Sequence, residues 1–240
     1  MPVTGVLGIE ANERSVNMSV IQAAAVQIPA AGVLIDGDLR VPVRATGLVL
    51  FAHGSGSSRF SRRNRQVAEF LETRAFATLL LDLLTREEEA VDVRTREFRF
   101  DLERLGHRVT AAVDWVDTHP EIAGLPVCCF GASTGAAAAL IAAAERPDRV
   151  QAVVSRGGRP DLAGDALPLV KAPTLLIVGG ADEPVIELNR EAMRRMTAPT
   201  RLEIVPGATH LFEEPGTLEE VCRLAAAWCE RHLRTAGRRQ

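Results

Sequence analysis

From Gly47 onward the chain repeats one unit: a short continuous apolar run, a loop of small or charged residues, and then a longer stretch of helical character. The expected strands are Leu48–Ala52, Ala77–Leu81, Val127–Phe130, Val150–Val154, Thr174–Val178 and Leu202–Val205. Leu48–Ala52 is continuously apolar, as expected of a strand covered on both faces. Helices are expected over about Ser61–Arg74, Phe98–Thr118 (ended by His119-Pro120), the alanine-rich stretch from Gly135, Val185–Met196 and Leu218–Leu233. The charged stretch through Glu87-Glu88-Glu89 is expected as a loop. Ahead of this series Ala24, Val26 and Ile28 alternate as in a strand. Gly32–Ile35 and Leu39, Val41 and Val43 follow, separated by Asp36-Gly37-Asp38, which is expected to turn an antiparallel hairpin. Strand–helix alternation after an initial hairpin predicts a mostly parallel sheet of about eight strands with helices on both faces. Residues 1–20 lack periodicity and are expected as a loose N-terminal arm, with Met18 an alternative start. Residues 21–240 are expected as a single domain.

The chemistry concentrates where one such run meets its helix. Gly131-Ala132-Ser133-Thr134-Gly135 fits G-x-S-x-G between the strand Val127–Phe130 and the alanine-rich helix. A strand that turns into a helix in so few residues holds the central serine in a strained conformation, tolerable only beside small neighbours. Ser133 is then a nucleophile at the tip of the turn, and the Thr134 amide points where an oxyanion would form. A tight turn without chemistry is the bland alternative, so the partners decide.

In a parallel sheet the loops at the carboxyl ends of the strands converge on one edge. Gly179-Gly180-Ala181-Asp182 follows one strand there and Pro206-Gly207-Ala208-Thr209-His210 follows the next. His210 is the expected base and Asp182 its orienting acid. Glu183 is the rival acid, and Asp182 has the alternative role of capping the next helix. The loop His53-Gly54-Ser55-Gly56-Ser57-Ser58 follows the strand expected beside the serine strand, and its Ser55 N–H is assigned as the second oxyanion donor. His53 is read as a brace for that loop.

Composition then narrows the field. With 240 residues, 47% apolar and 25% charged, the chain has the profile of a globular enzyme. A net charge of −3 argues against nucleic acid or an anionic membrane as the main partner. Neither a membrane-spanning run nor a signal peptide is read from the pattern. The four cysteines lack zinc-site spacing and read as packing thiols of a cytoplasmic protein. No metal or cofactor is expected. Lys171 is the only lysine and no serine stands three residues before it, which excludes S-x-x-K hydrolases; no histidine opens an H-E-x-x-H. A dinucleotide site is suggested by Gly54-Ser55-Gly56 and Asp82, but Arg59 stands where the third glycine belongs.

With chain order Ser133, Asp182, His210, and with Val49–Ser58 and Gly207-Ala208-Thr209-His210, the sequence resembles the dienelactone hydrolase-like branch of the α/β-hydrolases over about Val26–Leu233. The resemblance implies an α/β-hydrolase fold and a serine hydrolase acting on carboxylic esters, and is much less specific for a substrate. Dienelactone hydrolase itself uses a cysteine nucleophile where Ser133 stands here, so lactone specificity is not carried over. Similar domains also occur fused to a phosphoribosyltransferase, and no acidic, glycine-rich diphosphate-binding loop of that kind is visible here. The stretch Ser155–Pro173 is too short for the helical cap that many relatives insert, which predicts an open pocket, with the Arg86–Arg96 segment the one element able to fold over it. Arg59 and Arg156 are candidates to hold a carboxylate on the substrate; the competing expectation is that they pair with acids such as Asp161 or Asp165. Acyl transfer or perhydrolysis on the same residues, and a non-catalytic ligand-binding module on the same fold, are the alternative functions.

Overall fold

The structure, a computed structural model, describes residues 21–233. The expected N-terminal arm and the start at Met18 lie outside the described residues, as does the end of the expected domain. Among the described residues eight strands form one sheet: β1 (Ile21–Ala30), β2 (Val33–Pro42), β3 (Gly47–Ala52), β4 (Phe76–Leu81), β5 (Val127–Ala132), β6 (Val150–Arg156), β7 (Thr174–Gly179) and β8 (Thr200–Val205). Their spatial order is β1-β2-β4-β3-β5-β6-β7-β8. β1 and β2 pair antiparallel, as do β2 and β4, and every other pair is parallel. This is the α/β-hydrolase fold.

Strand alternation sends neighbouring side chains to opposite faces and so builds two cores. Leu48 and Leu50 of β3 and Cys129 of β5 face the helices α3 (Leu102–Val116) and α4 (Gly135–Glu145). Val49, Phe51, Cys128 and Phe130 face α1 (Arg62–Glu72) and α6 (Thr217–His232). β3, β4, β5 and β7 are buried at every position, which is why their sequences read as unbroken apolar runs. Between β6 and β7 the chain makes only 3₁₀ turns over Pro160–Leu169, broken at Gly164, before β7 leads to α5 (Glu183–Arg195). Among the described residues no helix is long and apolar enough to cross a membrane.

Two local expectations are corrected. The hairpin turns at Ala31-Gly32, not at Asp36-Gly37-Asp38; Ala30 pairs with Val33, and both turn residues have positive φ, 49° and 84°. That is the backbone of a two-residue type I′ turn. Asp36-Gly37-Asp38 runs straight through β2 because its carboxylates have distant partners. Asp38 accepts hydrogen bonds from Arg59 and Arg65 at 3.2 and 3.1 Å, and a Cβ at Gly37 would come within 3.1 Å of Val26.

The second correction is a helix. Arg86–Thr95, expected as a loop, is α2. A reciprocal capping box starts it: the Glu88 N–H donates to Thr85 Oγ1, and the Thr85 N–H donates to the Glu88 carboxylate at 2.8 Å. The pattern Thr85-x-x-Glu88 was the signal for it.

Candidate active site

Ser133 stands at the turn from β5 into α4 with φ +51°, a left-handed conformation costly for a residue with a side chain. Hydrogen bonds hold the turn. The Ser133 N–H donates to the Arg156 carbonyl at 3.3 Å, and the Ser133 carbonyl accepts from the Ala136 and Arg159 amides at 3.1 and 3.0 Å. The flanking glycines are steric requirements: a Cβ at Gly131 would lie 2.3 Å from Ala136 Cα, and one at Gly135 would lie 2.3 Å from the Ala52 carbonyl oxygen. A Cβ at Gly54 would come within 2.9 Å of Ser133 Cβ, so that glycine keeps the space above the serine clear.

Asp182 and His210 come from the next two loops along the same edge. A Cβ at Gly179 would lie 2.4 Å from the Ala208 carbonyl oxygen, so the two loops touch backbone to backbone. His210 Nδ1 is 2.7 Å from Asp182 Oδ2. That contact puts the imidazole proton on Nδ1 and leaves Nε2 as the basic nitrogen. Asp182 occupies the N-cap position of α5, yet its side chain caps nothing there and is turned to the histidine instead. Glu183 is exposed in the first turn of the helix. The His210 ring borders Gly157, whose Cβ would lie 3.7 Å from His210 Cε1; Gly157 directly follows the residue that receives the Ser133 amide.

The two expected oxyanion donors differ. The Thr134 N–H makes none of the turn or cap hydrogen bonds that hold the elbow. The Ser55 N–H is taken: it donates to Thr134 Oγ1 at 3.0 Å, and Ser55 Oγ lies 2.9 Å from the same hydroxyl. A threonine after the nucleophile thus reaches across to the glycine-serine loop, which the spacing could not foretell. Ser55 Oγ also donates to the Arg99 carbonyl at 3.3 Å, so the chain after α2 lies against this loop. Arg99 is held there by Asp92. This fully buried carboxylate accepts from the Phe98 and Arg99 amides at 2.8 and 2.9 Å and from Arg99 Nε at 2.6 Å. Burial alone would raise the Asp92 pKa, but these hydrogen bonds and the Arg99 charge more than offset it and hold the carboxyl below its ordinary value. Sequence reasoning missed this clamp. Between the glycine-serine loop and α2 lies a cleft of ≈ 530 Å³, bordered by Gly56, Ser58, Phe60, Asp82, Leu84 and Glu89.

The other candidates are placed elsewhere. Arg59 is enclosed by acids: its backbone N–H donates to Asp82 Oδ1 at 2.7 Å, and its guanidinium meets Asp82, Asp38 and Asp36. Arg156 is buried, with Nη2 3.2 Å from Asn64 Oδ1. The acids first expected as partners are used by others, Asp161 by Arg159 and Asp165 by Arg195. His53 is a brace. Its Nδ1–H donates to the Gly54 carbonyl at 2.9 Å and its Nε2 accepts the Leu83 N–H at 2.9 Å, while burial lowers its pKa. All four cysteines are buried and unpaired, and burial pushes the Cys129 thiol up to about 12.

Comparison with known proteins gives a consistent set of similarities. The model of the dienelactone hydrolase family matches residues 36–234. A crystal structure of dienelactone hydrolase from Anabaena variabilis ATCC 29413 is 57% identical, with 89% of this chain and 99% of that chain covered and a TM-score of 0.87. The esterase domain of a Rhodothermus marinus protein is 21% identical over 88% of this chain and 99% of that one, with a TM-score of 0.69, a likeness of fold alone. Two provisionally named phosphoribosyl transferases of Mycobacterium tuberculosis, from strains CDC 1551 / Oshkosh and ATCC 25618 / H37Rv, are each 58% identical over 208 residues. That match takes in 87% of this chain but 46% of theirs, so the chain spans about half the length of the curated relatives it matches.

Proposed function

The chain belongs to the dienelactone hydrolase family, and on that premise we propose that it is a serine hydrolase of small carboxylic esters, working through an acyl-enzyme on Ser133. One observation carries the reading: the 2.7 Å contact of His210 Nδ1 with Asp182, on the sheet edge where Ser133 stands at positive φ. Ser133 Oγ attacks the ester carbonyl while His210 Nε2 takes its proton; Asp182 keeps the imidazole in the required tautomer and stabilises the imidazolium. The oxygen becomes negative beside the Thr134 N–H. The Ser55 N–H joins it as second donor by exchanging Thr134 Oγ1 for the oxyanion. His210 then gives the proton to the departing alcohol, and water, activated by the same nitrogen, releases the acid.

The buried cysteines are no rivals as nucleophiles: burial raises the thiols of Cys128, Cys129 and Cys222 and keeps them protonated, and Cys229 has no exposed surface. With only 3₁₀ turns between β6 and β7 and no helical cap there, the site suits short acyl or alcohol groups, and lactones and thioesters lie within reach of the same chemistry. Four unpaired buried thiols fit a reducing compartment, and we place the protein in the cytoplasm. The phosphoribosyl transferase name belongs to proteins about twice the length of the shared region, and the esterase reading concerns that region.

A fluorophosphonate probe followed by intact mass and peptide mapping tests the assignment. One adduct on Ser133, absent in Ser133→Ala, is expected, together with turnover of p-nitrophenyl acetate that falls by about 10⁴-fold in the variant. An adduct on Ser55 or Ser57 would overturn the elbow assignment. Labelling without ester turnover, but with acyl transfer to an added alcohol or peroxide, would move the protein to the transferase or perhydrolase reading. No labelling at all would leave a ligand-binding module.

A further inference from the structure

The first turn of α1 is charged against the ordinary preference. A helix start presents free N–H groups and the positive end of the dipole, and so favours acids. Here the first turn has no acid, and Arg62 and Arg63 occupy it. From the end of β6 a third arginine is aimed at the same turn: Arg156 Nη2 lies 3.2 Å from the side-chain oxygen of Asn64, the third residue of the helix.

Among the described residues no acid compensates the charge of Arg156. The residue is 7% exposed, its Nε and Nη1 are buried without a hydrogen-bond partner, and Arg63 Nε is buried and unpartnered as well. Among the described residues no carboxylate stands within ion-pair distance of Arg156, and Arg63 meets only Glu213, at 3.2 Å on the surface. Burial first, and then the neighbouring charge of Arg63, push the Arg156 guanidinium down to about 10; the Cys222 thiol opposes this weakly. Two neighbouring guanidiniums with buried, unpartnered nitrogens, beside the positive end of a helix whose Asn64 N–H is already capped by Ser61 Oγ, are surroundings in which an oxyanion gains charge-assisted hydrogen bonds.

We propose that the junction of Arg156, Arg63 and the first turn of α1 is an oxyanion-binding site for a carboxylate or phosphate group. Access is from Arg63, whose side chain is 34% exposed. The site adjoins the catalytic candidates: the Arg156 carbonyl receives the Ser133 N–H, and Glu213, at its rim, follows His210 by three residues. Its existence is independent of the hydrolase reading; only the attribution of the anion to a substrate rests on that reading.

Thermal unfolding of the full chain in inorganic phosphate, against chloride at equal ionic strength, tests the site. At phosphate about tenfold above its dissociation constant the wild-type Tm should rise by roughly 3–6 °C. The rise should vanish in Arg156→Met and in Arg63→Met. The second variant changes a half-exposed side chain and keeps the test decisive should the first not fold. No rise in wild type, or an equal rise in Arg63→Met, overturns the proposal. Rates with p-nitrophenyl hemisuccinate and p-nitrophenyl butyrate then separate the sources. Phosphate that raises KM for the anionic ester alone identifies a substrate's carboxylate, whereas stabilisation with both KM values unchanged identifies a free anion. If neither ester is hydrolysed, the hydrolase reading fails while the thermal result still decides the site.

Discussion

Replacing Asp182 by Asn isolates the role of the acid, because the structure separates that role from stability. The carboxylate accepts the His210 Nδ1 proton at 2.7 Å and makes no capping bond to α5, so the substitution takes no cap away from the helix. An asparagine amide can turn its NH₂ toward Nδ1. The imidazole proton then moves to Nε2, which becomes a donor where the proposed mechanism needs a base. In a serine triad this exchange costs about 10⁴-fold in kcat. That is about 5.4 kcal/mol of barrier at 1.36 kcal/mol per tenfold. Stability should change less than activity, because the asparagine keeps a hydrogen bond to His210 and no cap is lost: within about 1 kcal/mol, the size of one hydrogen bond, or roughly 2–4 °C in Tm for a chain of this size. The assay is p-nitrophenyl acetate hydrolysis beside a calorimetric melt, with Glu183→Gln as comparison. Glu183 is exposed one residue further on, and its variant should keep activity within about twofold of wild type. Equal losses in the two variants, or an Asp182→Asn enzyme that keeps a tenth of wild-type kcat, would refute the assignment.

Gly135→Ala should lower Tm by roughly 2–12 °C, since its Cβ would lie 2.3 Å from the Ala52 carbonyl oxygen and overpacking of this kind costs about 1–3 kcal/mol; an unchanged Tm would show that β3 and α4 yield freely there. The Asp92 carboxyl titrates below its unfolded value, so its contribution is complete above about pH 4 and disappears as pH falls through the lower folded value. Urea melts should therefore show wild type well above Asp92→Asn at neutral pH and the gap closing on acidification; a constant gap would refute the linkage. With p-nitrophenyl esters from acetate to palmitate, kcat/KM should level off after short acyl groups, because a site with only 3₁₀ turns where a cap would stand recovers little of the roughly 0.8 kcal/mol per buried methylene. A steady rise past octanoate would mean that α2 and the segment holding Arg99 close over the chain.

Much of this molecule is legible one residue at a time. The unbroken apolar runs such as Leu48–Ala52 announce strands covered on both faces, and a glycine on each side of Ala132-Ser133-Thr134 announces a turn too tight for side chains. The loops carrying Asp182 and His210 follow from strand ends alone, because in a parallel sheet every strand end points to the same edge. Even α2 had its mark in Thr85 and Glu88, overlooked because its residues show little apolar periodicity against a run of acids.

What only the folded chain decided was which groups already have partners. Asp36-Gly37-Asp38 has the composition of a turn, yet Arg59 and Arg65, brought over from the α1 side, neutralise Asp38 and leave those residues in β2. Arg59 and Arg156 look alike as arginines after strand ends; one is surrounded by three acids and the other is buried with a single amide oxygen. The Ser55 amide, expected to be free for an oxyanion, is held by the Thr134 hydroxyl, 79 residues away in the chain. Periodicity and steric allowance act between neighbours in sequence and so can be read from it. A hydrogen bond or an ion pair is exclusive, and which distant group claims it is settled only when the sheet order and the loop contacts bring the rivals together.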